Sequence, residues 1–230
     1  MKFAVIADIH ANLEALQAVL ADAREQQCSH YAFLGDFVGY CADPKACLDL
    51  VRAMNAPCIK GNHDEYCTTD QPLDGFSANL VKSVRWTRTQ LAEDDRRWLR
   101  NLPYSRRVED FTIVHAALDH PEKWQYVFDN FSAAASFAQQ GTQLCFFGHT
   151  HVPLAFVRDA VIRGGTWTKL KIDAGKQYFV NPGAAGQPRD NNPKAAYAIY
   201  DMNKKAIELR RVAYDMAVTQ RKIRDAGLGD

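Results

Sequence analysis

The sequence predicts an α/β fold in which two β-sheets pack together with helices outside them, and three observations predict it. The opening alternates short apolar runs with amphipathic stretches in a βαβαβ order. The chain from Val152 onward is crowded with further strand-like runs, too many for one small sheet. Helix signals fall between and after the strands, which places the helices on the outer faces. No repeat, low-complexity tract or linker divides the chain, so residues 1–230 read as one domain.

Each element follows from local signals. Residues 3–7 are an apolar run ending at Asp8 and read as a buried strand. Asn12 N-caps a helix to about Gln26, with Leu13, Leu16, Val19 and Leu20 on one stripe. Residues 31–34 are the second strand. Pro44 opens a helix to about Ala53, with Asp43 as N-cap and proline in the first turn. Residues 57–60 read as a third short strand, and a βαβαβ unit requires parallel strands with right-handed crossovers. Residues 77–91 and 92–102 read as helices. Residues 104–108 and 111–114 alternate around Glu109-Asp110 as a hairpin does. Residues 131–139 are a helix and 144–147 a strand. Strands follow at 154–157, 161–163, 169–172, 177–180, 195–200 and 206–212, then a last helix at 216–226.

Composition excludes several classes. The chain has 230 residues, 47% hydrophobic and 24% charged, enough apolar material for a core. A net charge of +1 argues against a nucleic-acid or anionic-membrane surface. The N-terminal apolar run meets Asp8 too early for a signal peptide, and no run approaches the ~18 residues of a membrane span. The expected compartment is the cytoplasm. Cys28, Cys41, Cys47, Cys58, Cys67 and Cys145 form no CxxC pair and read as free thiols in or near the core. Cys41 and Cys67, beside motif loops, would be the redox-sensitive ones.

Polar clusters at the ends of the apolar runs carry the chemistry. They read Asp8-Ile9-His10, Gly35-Asp36, Gly61-Asn62-His63-Asp64, His115, Gly148-His149-Thr150-His151, Asn181-Pro182-Gly183 and Gln187-Pro188-Arg189. A strand period of two would put Asp8 and His10 on one face, and likewise His149 and His151. Glycine lets the chain turn sharply at Gly35 and Gly61. A lone DxH or HxH says little; several such clusters, most of them after strands, point to one shared polynuclear metal site. Oxygen and imidazole donors without thiolate exclude a zinc-thiolate centre. They suit manganese, iron, zinc, cobalt or nickel. A carboxylate such as Asp36 could bridge two cations ~3.5–4 Å apart, acidifying a water and neutralising phosphate oxygens for in-line displacement.

The set D-x-H, G-D, G-N-H-D, H, G-H-T-H resembles the calcineurin-like metallophosphoesterase superfamily. That resemblance implies a four-layer αββα sandwich of two mixed β-sheets, in agreement with the strand count. It implies two divalent metal ions, with manganese the leading candidate. One would be held by Asp8, His10, Asp36 and His151, the other by Asp36, Asn62, His115 and His149. His63 would be unligated and act on the leaving group, as general acid or as a cation facing the phosphate. Ile9 through Leu16, Gly35 through Tyr40, Asn181 through Arg189 and the tail Lys222 through Leu228 look like a short bacterial branch of phosphodiesterases and dinucleoside tetraphosphatase-like proteins. The implied activity is hydrolysis of phosphodiester or phosphoanhydride bonds by a metal-bridging hydroxide. The alternatives are a dinucleoside polyphosphate hydrolase, a protein phosphatase and a non-catalytic scaffold of the same fold. The expected partner is a small phosphoester or nucleotide, with no nucleic acid and no membrane.

One departure matters. Protein Ser/Thr phosphatases and symmetrical dinucleoside tetraphosphatases carry an arginine just after the bridging aspartate, and the protein phosphatases add an aspartate that orients the catalytic histidine. Here the run is Gly35-Asp36-Phe37-Val38-Gly39-Tyr40-Cys41, with neither. That weakens the protein-phosphatase reading and leaves open what orients His63. Asp64 either bonds within its own loop or orients His63. Arg189 is expected to contact phosphate, or else to pair with Asp190 on the surface. Tyr40, Trp124 and Tyr126 are expected at the cleft, with edge packing the commoner fate of such rings and base stacking the alternative. Asn181-Pro182-Gly183 is explained by turn chemistry alone. The basic pairs Lys204-Lys205 and Arg210-Arg211 should face solvent on an edge hairpin. The intact histidine set, with His63, argues against the scaffold.

Overall fold

The computed structural model describes residues 1–229. Its elements run β1 (Lys2–Ile6), α1 (Leu13–Glu25), β2 (His30–Phe33), α2 (Pro44–Ala53), α3 (Asn62–Thr68), α4 (Ala78–Gln90), α5 (Glu93–Arg100), β3 (Ser105–Val108), β4 (Phe111–Val114), a 3-10 turn at Pro121–Lys123, α6 (Asn130–Gln139), β5 (Leu144–Phe146), β6 (Ala155–Arg158), β7 (Ile162–Gly165), β8 (Lys169–Lys171), β9 (Gln177–Val180), β10 (Ala195–Asp201), β11 (Ala206–Val212) and α7 (Met216–Asp225). One sheet has the order β2-β1-β10-β11-β8 and the other β3-β4-β5-β9-β6-β7. Both are mixed: β1 runs parallel to β2 and antiparallel to β10, while β4, β5 and β9 run parallel beside antiparallel neighbours.

Strand alternation builds the layers. Phe3, Val5, Leu144 and Phe146 join the core between the sheets. Their neighbours Ala4 and Ile6 face a second core with Leu16, Val19 and Leu20 of α1 and Leu48 of α2. Cys145 and Phe147 face a third with Ala133 and Phe137 of α6. Each of these strands therefore covers both of its faces with apolar side chains, which is why it reads as a continuous apolar run. The result is the expected αββα sandwich.

Several expectations change. Residues 57–60 are not a strand; only one parallel bridge, Phe33 to Cys58, forms there. Asp43 precedes α2 but makes no capping bond, because Lys222 Nζ holds its carboxylate at 2.7 Å. Asn62–Thr68 is a helix that the motif had hidden. The same Lys222 binds Glu14 at 2.5 Å, and Thr219 donates to Asn12 Oδ1 at 3.1 Å and to Glu14 Oε2 at 2.9 Å, so α7 is pinned to the start of α1. The β10–β11 hairpin is not an edge, since β8 pairs with β11. Its basic residues are engaged: Lys205 with Asp110, Arg210 with Asp22, Arg211 with Asp190. All six cysteines are free and buried. Burial pushes the Cys41 thiol up to about 12 and raises Cys67 as well, which leaves neither with thiolate character.

Candidate metal centre

The carboxyl ends of β1, β2, β4, β5 and β9 reach one rim of the sandwich, and the polar clusters leave from there. Strand periodicity does not aim the side chains. β1 ends at Ile6, and Asp8 (φ 54°), His10 (φ 48°), Asp36 (φ 52°), His149 (φ 67°) and His151 (φ 59°) all sit in the left-handed region. That conformation costs a non-glycine residue ~1–2 kcal/mol, so the surroundings must impose it. Backbone bonds between loops do so: His10 N donates to Asp36 O at 2.8 Å, Ala11 N to Phe37 O at 2.9 Å, Gly148 N to His115 O at 2.8 Å and Gly186 N to Asp8 O at 2.9 Å. A side chain on Gly186 would strike Ile9 O at 1.8 Å, which explains the glycine.

The loops gather two groups of donors that share Asp36. Asp8, His10, Asp36 and His151 present ligand atoms within 4.8 Å of one another, and so do Asp36, His115 and His149. His10 Nε2 and His115 Nε2 each lie 3.4 Å from Asp36 Oδ2, and His10 Nε2 lies 2.9 Å from His151 Nε2. Asn62 Oδ1 is 3.1 Å from His115 Nε2, which adds Asn62 to the second group. All of these side chains are buried.

Three imidazoles have the same orienting contact. His10 Nδ1 meets Val38 O at 3.2 Å, His115 Nδ1 meets Leu34 O at 2.7 Å and His151 Nδ1 meets Gln187 O at 2.6 Å. A carbonyl only accepts, so each Nδ1 carries the proton and each Nε2 faces inward, as metal-binding histidines require. His149 Nε2 is buried without any partner. Burial lowers the basicity of His10 and His151 and takes His149 down to about 3, so these rings are neutral with free lone pairs. Burial also pushes Asp8 up to about 7, with His115 opposing and Asp36 assisting. His115 goes the other way, to about 9: burial lowers it, but Asp36 and then Asp8 outweigh that. Burial alone would raise Asp36, yet His115, His63 and His10 hold it well below the usual carboxylate range. The neutral imidazoles of His10, His149 and His151, an orphaned nitrogen and a shared ionised carboxylate suit divalent cations, which would displace the extra proton on His115.

His63 stands beside this set. Its backbone N–H donates to Asp36 Oδ1 at 2.8 Å, and its ring Nδ1 is buried without a partner. Packing holds the ring: Tyr40 lies 4.4 Å and His10 4.8 Å away between centroids. A Cβ on Gly39 (φ 87°) would fall 2.4 Å from His63 Nδ1, so the absence of a side chain there leaves room for the imidazole. Asp64 does not orient His63. Its carboxylate accepts the backbone N–H groups of Asp36, Phe37, Val38 and Gly61, at 2.8, 2.9, 3.3 and 2.9 Å.

Sequence reasoning undervalued other residues. Asn181 is more than a turn residue: its Nδ2 donates to Gly148 O at 2.6 Å and Thr150 Oγ1 at 3.0 Å, bracing the loop that bears His149 and His151. Tyr126 is not edge-packed. It stacks on His149 at 4.0 Å and 20°, next to Phe128 at 5.5 Å and 14°, and the two are 49% and 54% exposed. Trp124 packs against His115 and Tyr104. Asp190 pairs with Arg211, so Arg189 does not pair with it. The Arg189 side chain is exposed; its Nη2 donates to Gln187 Oε1 at 2.9 Å, its amide to His151 O at 3.2 Å, and its guanidinium lies over the Tyr40 ring at 5.7 Å. Asp8, His10, Asp36, Asn62, His115, His149 and His151 thus converge, with His63 against them and Arg189 at the rim. His30 and His120 lie outside the cluster, and both are exposed.

Comparison with known proteins identifies the family. Residues 1–205 match the family model of the calcineurin-like phosphoesterase superfamily domain. The uncharacterized protein MJ0912 of Methanocaldococcus jannaschii is 35% identical over 226 residues, covering 96% of this chain and 90% of its own. A metallophosphoesterase from Sphaerobacter thermophilus superposes with a TM-score of 0.89 at 38% identity, covering 100% of this chain and 95% of that one. Protein PH1004 of Pyrococcus horikoshii OT3 shares the fold at 20% identity, with a TM-score of 0.81 and coverage of 100% and 94%. This superfamily uses divalent metals, and the buried His/Asp cluster is a place to bind them. The chain belongs to the calcineurin-like phosphoesterase superfamily.

Proposed function

We propose that this protein is a dimetal-dependent phosphoesterase that hydrolyses phosphodiester or phosphoanhydride bonds. The observation that carries the reading is the pair of donor groups meeting at Asp36. Asp8, His10, Asp36 and His151 would hold one divalent ion; Asp36, Asn62, His115 and His149 would hold the other. Manganese is the leading candidate, and iron, zinc, cobalt and nickel suit the same donors. Bound cations would supply a nucleophilic water at neutral pH and neutralise the phosphate oxygens.

The chain's own residues supply the rest. Asp36 accepts the His63 backbone N–H through Oδ1, which leaves Oδ2 toward His10 and His115. His63, beside the cluster, would deliver a proton or a hydrogen bond to the leaving oxygen. Arg189, without a carboxylate partner among the described residues, would meet a non-reacting phosphate oxygen. Asn62 would touch the substrate from the other side. The substrate would be a small phosphoester or nucleotide; a net charge of +1 gives no support to a nucleic-acid surface. Six unpaired buried thiols support a reducing, cytoplasmic compartment, and among the described residues no helix is long and apolar enough to cross a membrane.

A second reading, hydrolysis of dinucleoside polyphosphates, is favoured by one observation. The exposed rings of Tyr126 and Phe128 stand next to His149 and could stack on a base. Protein reconstituted with Mn²⁺ should cleave bis-p-nitrophenyl phosphate and lose that activity to chelator. The same panel should include p-nitrophenyl phosphate, a cyclic nucleotide and diadenosine tetraphosphate. Asp36→Asn or His63→Ala should lower turnover by ~10²–10⁴. Fast, product-resolved cleavage of the dinucleotide would favour the second reading. Absence of bound metal and of turnover on every substrate would overturn both.

A further inference from the structure

We propose that Tyr40 is a positioning residue that sets both Arg189 and His63 against a substrate phosphate, an inference that rests on the phosphoesterase reading. The Tyr40 ring touches three groups at once. The Arg189 guanidinium lies 5.7 Å above it, the His63 ring 4.4 Å from it and the His10 ring 4.8 Å from it. The backbone that carries the ring is held in place. Tyr40 is left-handed (φ 65°), and its N–H donates to the buried Ser83 Oγ of α4 at 2.5 Å. Arg189 has little else to hold it. Its side chain makes one hydrogen bond, to the amide of Gln187, and its neighbour Asp190 is committed to Arg211. His63 likewise has no hydrogen-bond partner at Nδ1, and Gly39 offers it no side chain. One aromatic surface therefore lies against both the Arg189 guanidinium and an imidazole whose Nδ1 has no hydrogen-bond partner. A guanidinium kept over a ring without a carboxylate keeps its donors available to an oxyanion.

The test separates positioning from general structure. Tyr40→Phe keeps the surface and Tyr40→Leu removes it. With Mn²⁺-loaded protein, Tyr40→Leu should weaken inorganic phosphate binding, read by calorimetry, about fivefold, roughly the factor that an exposed cation–π contact supplies. It should also raise KM for bis-p-nitrophenyl phosphate to the same extent and lower kcat separately, through His63. Tyr40→Phe should restore both within twofold, and circular dichroism should show each variant folded. In an Arg189→Gln background, Tyr40→Leu should leave KM and phosphate affinity unchanged while kcat still falls. Full, independent effects of the two substitutions on phosphate affinity would overturn the proposal, and so would a Tyr40→Leu variant with wild-type KM and kcat. Wild-type protein that binds no metal and turns over no phosphodiester or phosphoanhydride would instead overturn the phosphoesterase reading beneath it.

Discussion

Asp64→Asn tests how the fold holds its central loop. Asp64 is fully buried, and its two oxygens each accept two backbone N–H groups. Oδ2 takes those of Asp36 and Gly61, and Oδ1 takes those of Phe37 and Val38. Asparagine has the same shape, but one oxygen becomes an NH2 that cannot accept. Two N–H donors are then left facing a donor inside the protein. An orphaned buried donor costs about 1–3 kcal/mol, so two should cost about 2–6 kcal/mol. For a chain of this length that is a fall in Tm of about 4–24 °C. The assay is urea denaturation followed by circular dichroism with chelator present, so that metal binding does not contribute. A loss below about 1 kcal/mol would refute the reasoning, because it would mean that the four N–H groups find other acceptors.

Two further outcomes are expected. Gly39→Ala should lower turnover by ~10²-fold with metal content unchanged, because the methyl group would displace His63 from its seat; a variant keeping more than a tenth of wild-type kcat would show that His63 is not held there. Asp22→Asn should cost about 1–2 kcal/mol at neutral pH, since Arg210 (2.9 Å) and Tyr197 (2.6 Å) both donate to the carboxylate. Burial raises the Asp22 acid, but those donors outweigh it and leave its value below 3.8. The stabilisation is therefore complete above pH 3.8 and lost as pH falls further, so the gap between wild type and variant in denaturant titrations should be flat from pH 5 to 7 and close below pH 3.8. A gap that widens in acid would contradict the assignment.

The layers were legible because burial on both faces leaves a continuous apolar run, as at Leu144–Phe146, and because Asn12 caps α1 as its chemistry predicts. The bridge at Cys58 was overread as a strand because an apolar run cannot report how many ladder bonds it makes. α3 was missed because Asn62, His63 and Asp64 invite a functional reading that masks a helix start. The donor set was legible as residue types. Its aim was not, because a left-handed turn leaves no mark on a non-glycine residue. The orienting carbonyls of Leu34, Val38 and Gln187 belong to backbone, which sequence does not distinguish. Tyr126 was placed correctly at the cleft but assigned the commoner packing, since exposure depends on the chain around it.

The left-handed backbone at Asp8, His10, Asp36, His149 and His151 has an evolutionary consequence. Glycine alone adopts that conformation freely, so at each of these positions a change to glycine would relieve ~1 kcal/mol of strain while deleting a donor atom. Heat tolerance selected without metal would therefore drift toward glycine and erase the centre in the process. Persistence of non-glycine side chains at all five places would need selection on what those side chains bind. Laboratory evolution run in parallel with and without divalent cations would expose that opposition directly, as glycines accumulating in one lineage and excluded from the other.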